Sequence, residues 1–497
     1  PNAEVILARA LIMVPMDQAP SPSGTLLILG GGIAGLAAAD EACRAGVQAI
    51  VVEVEARPGG LLRTDRRDGF CFDRGGHRFI TSIPWVLERV RDLLADRLLV
   101  RERRSLILLD GTTIEYPLRI ANLLRRLGPW RNVRALLSYL AARDGRGRAP
   151  EEQSLEEWLR GHFGCYLYRA IFEGYSEKLW GEHPSRISAE WAPERISIPT
   201  LGGFLKELLL PSRRAPRTYA RRYLYPRRGI GEIAEAFADR VEEGGGEIWT
   251  SSRALAVSRK GRVWRAAVET ARGERAVEAG GVVSTIPLAS LLEILEEPEK
   301  PELLPLQHRG LRFLNLAFRR PVPLDATWIY HPDRDSRFSR IQVPAARSPH
   351  MVPPEHGSIQ LEEPWWPGSA EEGEAQAGHG RGAVDAAGRI DEAMALLGRL
   401  DIDPGEPLFS FTTVEPHAYP IYRPGARQSA RRALAWLHRL PGLASAGRQG
   451  GFSYIFLDRA LAQGVNAARH VLGLEALDSE GEGAAASPLP IEASSVV

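Results

Sequence analysis

The sequence predicts an α/β fold in which a parallel sheet covered by helices is joined to a second unit of antiparallel sheet and helices. Three observations carry this. A glycine-rich turn, Gly30-Gly31-Gly32-Ile33-Ala34-Gly35, links the apolar run Leu26-Leu27-Ile28-Leu29 to a helical pattern. An acidic residue, Glu53, closes the next apolar run at residues 49–53. Another strand-then-turn, Leu443-Ala444-Ser445-Ala446-Gly447-Arg448, recurs near the far end of the chain and leads into a helical stretch at 458–472.

Length and composition bound the answer. A chain of 497 residues has room for two or three cores, and its 44% hydrophobic and 25% charged content is that of an ordinary globular protein. A formal net charge of +1 gives no case for a nucleic-acid partner. Cys43, Cys71 and Cys165 are odd in number, far apart and without a CxxC pair, so neither a zinc site nor a disulfide framework is predicted. A reducing, cytoplasmic setting follows. No apolar run is long enough for a membrane span, and the stretch 5–16 lacks the charged leader of a signal peptide.

The elements follow in chain order. Residues 1–23 read as a disordered tail, and 26–29 as a buried parallel strand. A helix over 33–45 and a strand over 49–53 continue a βαβ unit. Residues 105–225 change character, rich in Leu, Arg and Trp at helical spacing, and predict a helical insertion. The stretch Tyr225-Pro226-Arg227-Arg228-Gly229-Ile230-Gly231 opens a helix to about 243, followed by a strand at 247–250. Alternating Val and Ala at 254–279 reads as a hairpin, and 281–287 as another buried strand. Residues 310–345 and 408–423 alternate as an antiparallel sheet would. Between them 368–388 reads as a solvated insertion, and the chain ends in a disordered tail. The resulting partition gives a discontinuous cofactor domain at 24–104, 225–295 and 437–475. The substrate domain takes 105–224 and 296–436, with tails at 1–23 and 476–497.

The chemistry sits in the turns. Gly30 suits a tight turn, Gly32 lets backbone approach a pyrophosphate, and Gly35 permits close helix–strand packing. Ile33 and Ala34 lie in the first helical turn, whose amino terminus favours an anion. Glu53 stands where a carboxylate accepts from adenosine ribose hydroxyls. Together these predict a Rossmann-type dinucleotide site. The continuation Arg57-Pro58-Gly59-Gly60-Leu61, then Phe72-Asp73-Arg74-Gly75-Gly76-His77, decides for FAD over NAD. A second glycine pair lets backbone lie beside a ribityl chain and flavin ring.

These residues, with Gly174-Tyr175-Ser176-Glu177-Lys178-Leu179-Trp180-Gly181, Tyr225-Pro226-Arg227, Tyr419-Pro420, and Gly447-Arg448 with Tyr454 and Asp458, resemble the flavin-dependent amine oxidase superfamily. The likeness is to its branch of protoporphyrinogen-oxidase-like proteins and UDP-galactopyranose mutases, and it spans nearly all of 25–472. It implies tightly bound FAD with a substrate domain over the flavin face. In the cofactor site it implies Gly447, Arg448 and Asp458 as late contributors beside the early glycines. His77 and Arg448 would border the flavin as catalytic residues. Tyr175 and Trp180 would line a nucleotide pocket, Arg195 and Arg448 would face a diphosphate, and Tyr454 would touch it, with Tyr419 nearby. Without the resemblance, Tyr175 and Trp180 would be core aromatics, Arg195 a surface ion-pair partner and His77 a structural histidine.

Two departures shape the functional reading. The mutases carry their late aspartate closer to the arginine than Asp458 stands to Arg448. No lysine follows Lys300, which disfavours amine oxidation through a lysine-held water. The leading expectation is an FAD-dependent oxidoreductase acting on an anionic small molecule, of which a nucleotide-sugar or lipid-linked compound is one form. The alternative is a sugar-nucleotide isomerase with no net redox change. No site residue is assigned to a metal. Residues 123–143 set Leu123, Leu127, Val133, Leu136, Leu137 and Leu140 beside five arginines. Such a helix either covers a core with an arginine-rich solvent face, the favoured reading, or rests on an anionic membrane.

Overall fold

The computed structural model describes residues 24–109, 111–116, 129–142, 148–196, 222–368 and 383–479. The expected tail at 1–23 lies outside them, as do 117–128, 369–382 and, of the tail expected at 476–497, residues 480–497. Residues 476–479 are instead tied down, the Leu477 amide donating to Asn466 Oδ1 at 2.8 Å and the Trp85 indole to the Asp478 carbonyl at 2.7 Å. At its heart is a five-stranded parallel sheet in the order Leu443–Ser445, Gly281–Ser284, Leu26–Leu29, Ala49–Val52, Glu247–Trp249. The central strands are short, apolar and buried along their whole length, as a sheet covered on both faces requires. Ile33–Arg44, Gly231–Glu243 and Leu457–Val471 pack on one face. A three-stranded antiparallel sheet, Arg253–Lys260, Val263–Thr270 and Gly273–Ala279, covers the other with the helix Ala426–Leu437.

The second unit is built on a seven-stranded sheet. Its order is Pro407–Pro420, His308–Phe318, Gly357–Trp365, Arg340–Gln342, Trp328–Tyr330, Ser105–Leu109, Thr112–Tyr116. His308–Phe318 lies between two long partners and is buried throughout. Its two faces divide the packing as a period of two demands: Leu311 and Phe313 join the cluster holding Trp158 and Trp180, while Leu314, Leu316 and Phe318 meet the helix Ala383–Gly398.

Three expectations change. Residues 105–116, read as the start of a helical insertion, form two strands that extend the large sheet. The insertion expected to run to 388 gives way to helix from Ala383. Of residues 123–143, the described part is mainly the helix Pro129–Ala141, and it does not turn its apolar side to a core. Trp130, Val133, Leu137 and Leu140 are 82%, 48%, 60% and 53% exposed, while Ala135 is buried. No helix among the described residues is long and apolar enough to cross a membrane.

Candidate functional site

The glycine-rich turn leaves the central strand and enters the helix Ile33–Arg44. Gly30 adopts φ +98°, and Thr285 at the end of the neighbouring strand ties the turn down by donating to the Leu29 and Gly30 carbonyls, each at 3.0 Å. A side chain at Gly35 would put its Cβ 1.9 Å from the Gly30 carbonyl oxygen, so helix and turn can meet only through glycine. The helix has no side-chain cap at Gly32 and no acid in its first turn. Its first amides therefore offer donors and partial positive charge to an external anion.

Glu53 ends the second strand and folds back. One carboxylate oxygen accepts from the Gly31 amide at 2.7 Å and the other from the Glu55 amide at 2.9 Å. Burial pushes its acidity toward a higher pKa, against those two amides. The second glycine pair closes on the first: the Gly59 amide donates to the Gly31 carbonyl at 2.7 Å, and a Cβ on Gly60 would lie 3.1 Å from the Gly32 Cα. Leu61 sits in the short turn Gly60–Leu62. The late turn arrives at the same helix end. A Cβ on Gly447 would stand 2.8 Å from that of Ala34, and the Gly447 amide donates to Gln463 at 3.1 Å. Asp458 is buried in the first turn of the last helix. This cradle of bare backbone around a helix amino terminus, with a buried carboxylate beside it, fits the adenine-dinucleotide half of FAD. Arg57 is different: it is exposed and pairs at 3.4 Å with Asp65, facing away from the buried turns.

Next to the dinucleotide cradle lies the turn Gly75-Gly76-His77. It springs from Asp73, which is 1% exposed and gathers distant groups. Asp73 accepts from Thr64 Oγ1 at 2.7 Å, the Ile230 amide at 3.0 Å, Arg347 Nη1 at 3.1 Å and the Tyr225 hydroxyl. His77 donates from Nε2 to the Arg74 carbonyl at 3.1 Å, which leaves Nδ1 as an acceptor. Burial pushes its pKa down to about 4, with Asp73 opposing and Arg448 reinforcing. The imidazole is thus neutral at pH 7. Arg448 does not dangle: Nη1 donates to the Ala418 carbonyl at 3.1 Å, Nη2 to the Ile455 carbonyl at 2.7 Å, and the guanidinium lies 5.2 Å from the Tyr454 ring.

Beyond the turn stands a wall of arginine and aromatic side chains that sequence reasoning missed. A Cβ on Gly76 would lie 3.0 Å from the Arg340 guanidinium, which binds Glu362 through Nε and Nη2. Arg78 lies 3.4 Å over the Trp328 ring and donates to Ser105 at 2.9 Å. Burial, then Arg103, lowers its pKa to about 9, and no described carboxylate forms an ion pair with it. Tyr330 meets the Tyr175 ring edge-on at 5.8 Å, and Tyr419 meets Tyr454 at 5.3 Å. The arrangement presents cations in a dry, aromatic surface, a setting that selects an anion with a flat or apolar body. The available signal was slight: Arg78 follows the quoted motif directly, whereas Arg340 is one arginine in an arginine-rich chain.

One predicted substrate residue is placed differently. Trp180 is 1% exposed, enclosed by Trp191 at 5.0 Å, Tyr419 at 6.0 Å and Tyr454 at 6.1 Å. It offers no face to a planar base; it backs the two tyrosines. Arg195 ends the short helix Ala192–Arg195, and its side chain lies outside the described residues. Lys300 donates to the Leu292 and Leu295 carbonyls at 2.9 Å each.

Comparison with known proteins agrees with this geometry. The profile of the family described as flavin containing amine oxidoreductase matches residues 33–472. Chloroplastic protoporphyrinogen oxidase of Oryza sativa subsp. japonica is 25% identical over 344 residues, 64% of this chain and 61% of that protein. The chain thus spans about three-fifths of the length of that curated relative. Coproporphyrinogen III oxidase of Propionibacterium freudenreichii subsp. freudenreichii is 38% identical over 86 residues, 16% of each chain. Reduced UDP-galactopyranose mutase superposes with a TM-score of 0.75 at 21% identity, covering 92% of this chain and 97% of the mutase. Cyclohexylamine oxidase of Brevibacterium oxydans gives 0.61 at 15% identity, covering 91% and 99%. Identities this low to solved structures establish the fold.

Proposed function

The chain belongs to the flavin containing amine oxidoreductase family, with FAD as its cofactor, and from that premise we propose that it oxidises an anionic small molecule. When bound, FAD supplies the two-electron acceptor for a hydride. The residues of the chain bind, orient and exclude water. The amides at the start of the helix, from Gly32 to Gly35, and the Glu53 carboxylate take the dinucleotide end. His77 keeps its proton on Nε2 and offers Nδ1 as an acceptor; with a pKa near 4 it orients a donor and does not store a proton at pH 7. Tyr175, Tyr330 and Tyr419 shape a dry wall against which the substrate body lies.

The observation that carries this reading is Arg78, a half-buried cation stacked on Trp328, its Nε enclosed without a hydrogen-bond partner and with no carboxylate ion partner among the described residues. Such a charge is costly unless an anion meets it. The names of the relatives supply the compounds to try: coproporphyrinogen III and protoporphyrinogen on one side, UDP-galactopyranose on the other. Each should be mixed anaerobically with the yellow protein. Bleaching of the flavin absorbance, with recovery on admitting air, supports oxidation. Arg78→Met should raise KM for the active anion about 10- to 100-fold, with flavin content unchanged. Bleaching by simple cationic amines alone would overturn the proposal. Conversion of UDP-galactopyranose that requires prior dithionite and consumes no oxidant would replace it with the isomerase reading.

A further inference from the structure

We propose that His331, Asp333 and Asp335 form a binding site for a divalent transition-metal ion of the zinc kind. The three residues follow the strand Trp328–Tyr330 in the run His331-Pro332-Asp333-Arg334-Asp335. The loop they occupy is tightly held. Lys178 donates to the carbonyls of His331 at 2.9 Å, Phe338 at 3.0 Å and Asp333, and the His331 amide donates to the Ser339 carbonyl at 2.9 Å.

His331 points to a ligand. Its side chain is fully buried, its Nδ1 donates to the Phe338 carbonyl at 3.3 Å, and its Nε2 has no hydrogen-bond partner. That Nδ1 bond fixes the tautomer with the lone pair on Nε2, the arrangement by which a backbone carbonyl orients a metal-binding imidazole. Burial and the nearby Lys178 keep the ring neutral. Nε2 is aimed at two carboxylates, Asp333 Oδ2 at 3.7 Å and Asp335 Oδ1 at 3.9 Å, and the three ligand atoms lie within 4.8 Å of one another. These gaps are too long for hydrogen bonds. Atoms bound at about 2.0–2.1 Å to a tetrahedral zinc stand about 3.4 Å apart, so the histidine has to close on each carboxylate by about 0.3–0.5 Å and the two carboxylates on each other by no more than about 1.4 Å.

The surroundings suit an ion with one open position. Asp335 gives its other oxygen to Arg399 Nη1 at 2.5 Å, which holds the carboxylate with Oδ1 toward the histidine. Asp333, Arg334 and Asp335 line an open groove of about 1330 Å³, facing Tyr166 and Arg169. The protein thus supplies three ligands, and water from the groove supplies the fourth. One imidazole and two carboxylates select a borderline first-row dication; magnesium and calcium favour oxygen throughout. Two aspartates neutralise its charge, while Lys178 is directed at backbone carbonyls. The site was not legible as a metal site in the sequence because no cysteine pair marks it, and a single His-x-Asp-x-Asp run is common on loops.

The test does not depend on turnover. Full-length, flavin-loaded protein is stripped with chelator, dialysed and titrated with Zn²⁺ by calorimetry at pH 7. One ion per chain is expected at micromolar affinity or tighter. Asp333→Asn and Asp335→Asn, on the rim of the groove, should each weaken it at least about tenfold while flavin content and circular dichroism stay unchanged. In the absorption-edge spectrum of the zinc-loaded protein, imidazole scattering should vanish in His331→Gln. His183, 42% exposed beside Glu156, Glu173 and Glu177, is the control, and His183→Gln should bind as the parent does. Failure to saturate below about 100 μM, affinity unchanged by both aspartate variants, or loss of binding in His183→Gln alone would each overturn the proposal.

Discussion

Two carboxylates separate the work of holding a cofactor from that of holding the fold. Glu53 is spent on two backbone amides in the protein alone and keeps acceptor capacity toward the dinucleotide. Replacing it by Gln removes charge-assisted bonds worth about 1.5–3 kcal/mol, so FAD affinity should fall about 10- to 150-fold. Fluorescence titration of the apoprotein reads this directly; an unchanged dissociation constant would take Glu53 out of the site. Asp73 is the opposite case. It sits where Thr64, Tyr225, Ile230 and Arg347 converge, and Arg347 is itself 1% exposed. Asp73→Asn strands that guanidinium in the interior, at a cost of about 3–5 kcal/mol in urea-unfolding free energy. The sequence displayed Asp73 inside a motif and said nothing of this role, because its partners lie up to 274 residues away.

At the scale of elements, the cofactor cradle depends on two helices that almost touch. Gly464 on Leu457–Val471 faces Ala34 on Ile33–Arg44 so closely that a Cβ would lie 2.0 Å from the Ala34 carbonyl oxygen. Backbone cannot yield as a side-chain tip does. Gly464→Ala should therefore destabilise by about 3 kcal/mol and lower flavin occupancy, because the displaced helix end is the one proposed to meet the phosphates. A purified variant with full flavin content and an unshifted melting temperature would contradict this. The elements around the cradle were the legible ones: Ile33–Arg44 and Leu457–Val471 fall within a residue of the predicted bounds. Short apolar strands flanked by glycine leave little choice of conformation. The hairpin Ser105–Leu109 and Thr112–Tyr116 was missed because its leucines run on into the leucine- and arginine-rich stretch that follows it. The Asp110-Gly111 turn was the signal that should have decided for strands. The arginine–aromatic wall was illegible for another reason. Arg78, Trp328 and Arg340 meet only when the segment after the Gly75-Gly76 turn docks on two neighbouring strands of the large sheet, and no local pattern encodes that.

On the scale of the whole molecule, the interior holds several histidines in their neutral form, and this sets how the protein responds to acid. Burial pushes His77 down to about 4, His308 to about 3 and His331 to about 4, from an ordinary value near 6.5. The unfolded chain binds protons at these positions first. The stability they confer is complete above about pH 6.5 and is lost as pH falls toward the folded-state values. With three such groups the slope approaches about 4 kcal/mol per pH unit between about 6 and 4. Buried acids on the outer helices respond later: Glu41, held below its ordinary range by Arg469 and Arg89 against the opposing effect of burial, protects until lower pH. The urea midpoint of chelator-treated protein should therefore be flat from pH 8 to 7 and fall steeply by pH 5.5, before carboxylates titrate. His308→Gln, at the start of the strand His308–Phe318 and packed 5.4 Å from the Phe452 ring just past the late turn, should flatten that fall by about a third. A parental slope in that variant would place the acid sensitivity elsewhere. Because the proposed FAD site joins segments drawn from early and late in the chain, saturating cofactor should raise the midpoint at every pH.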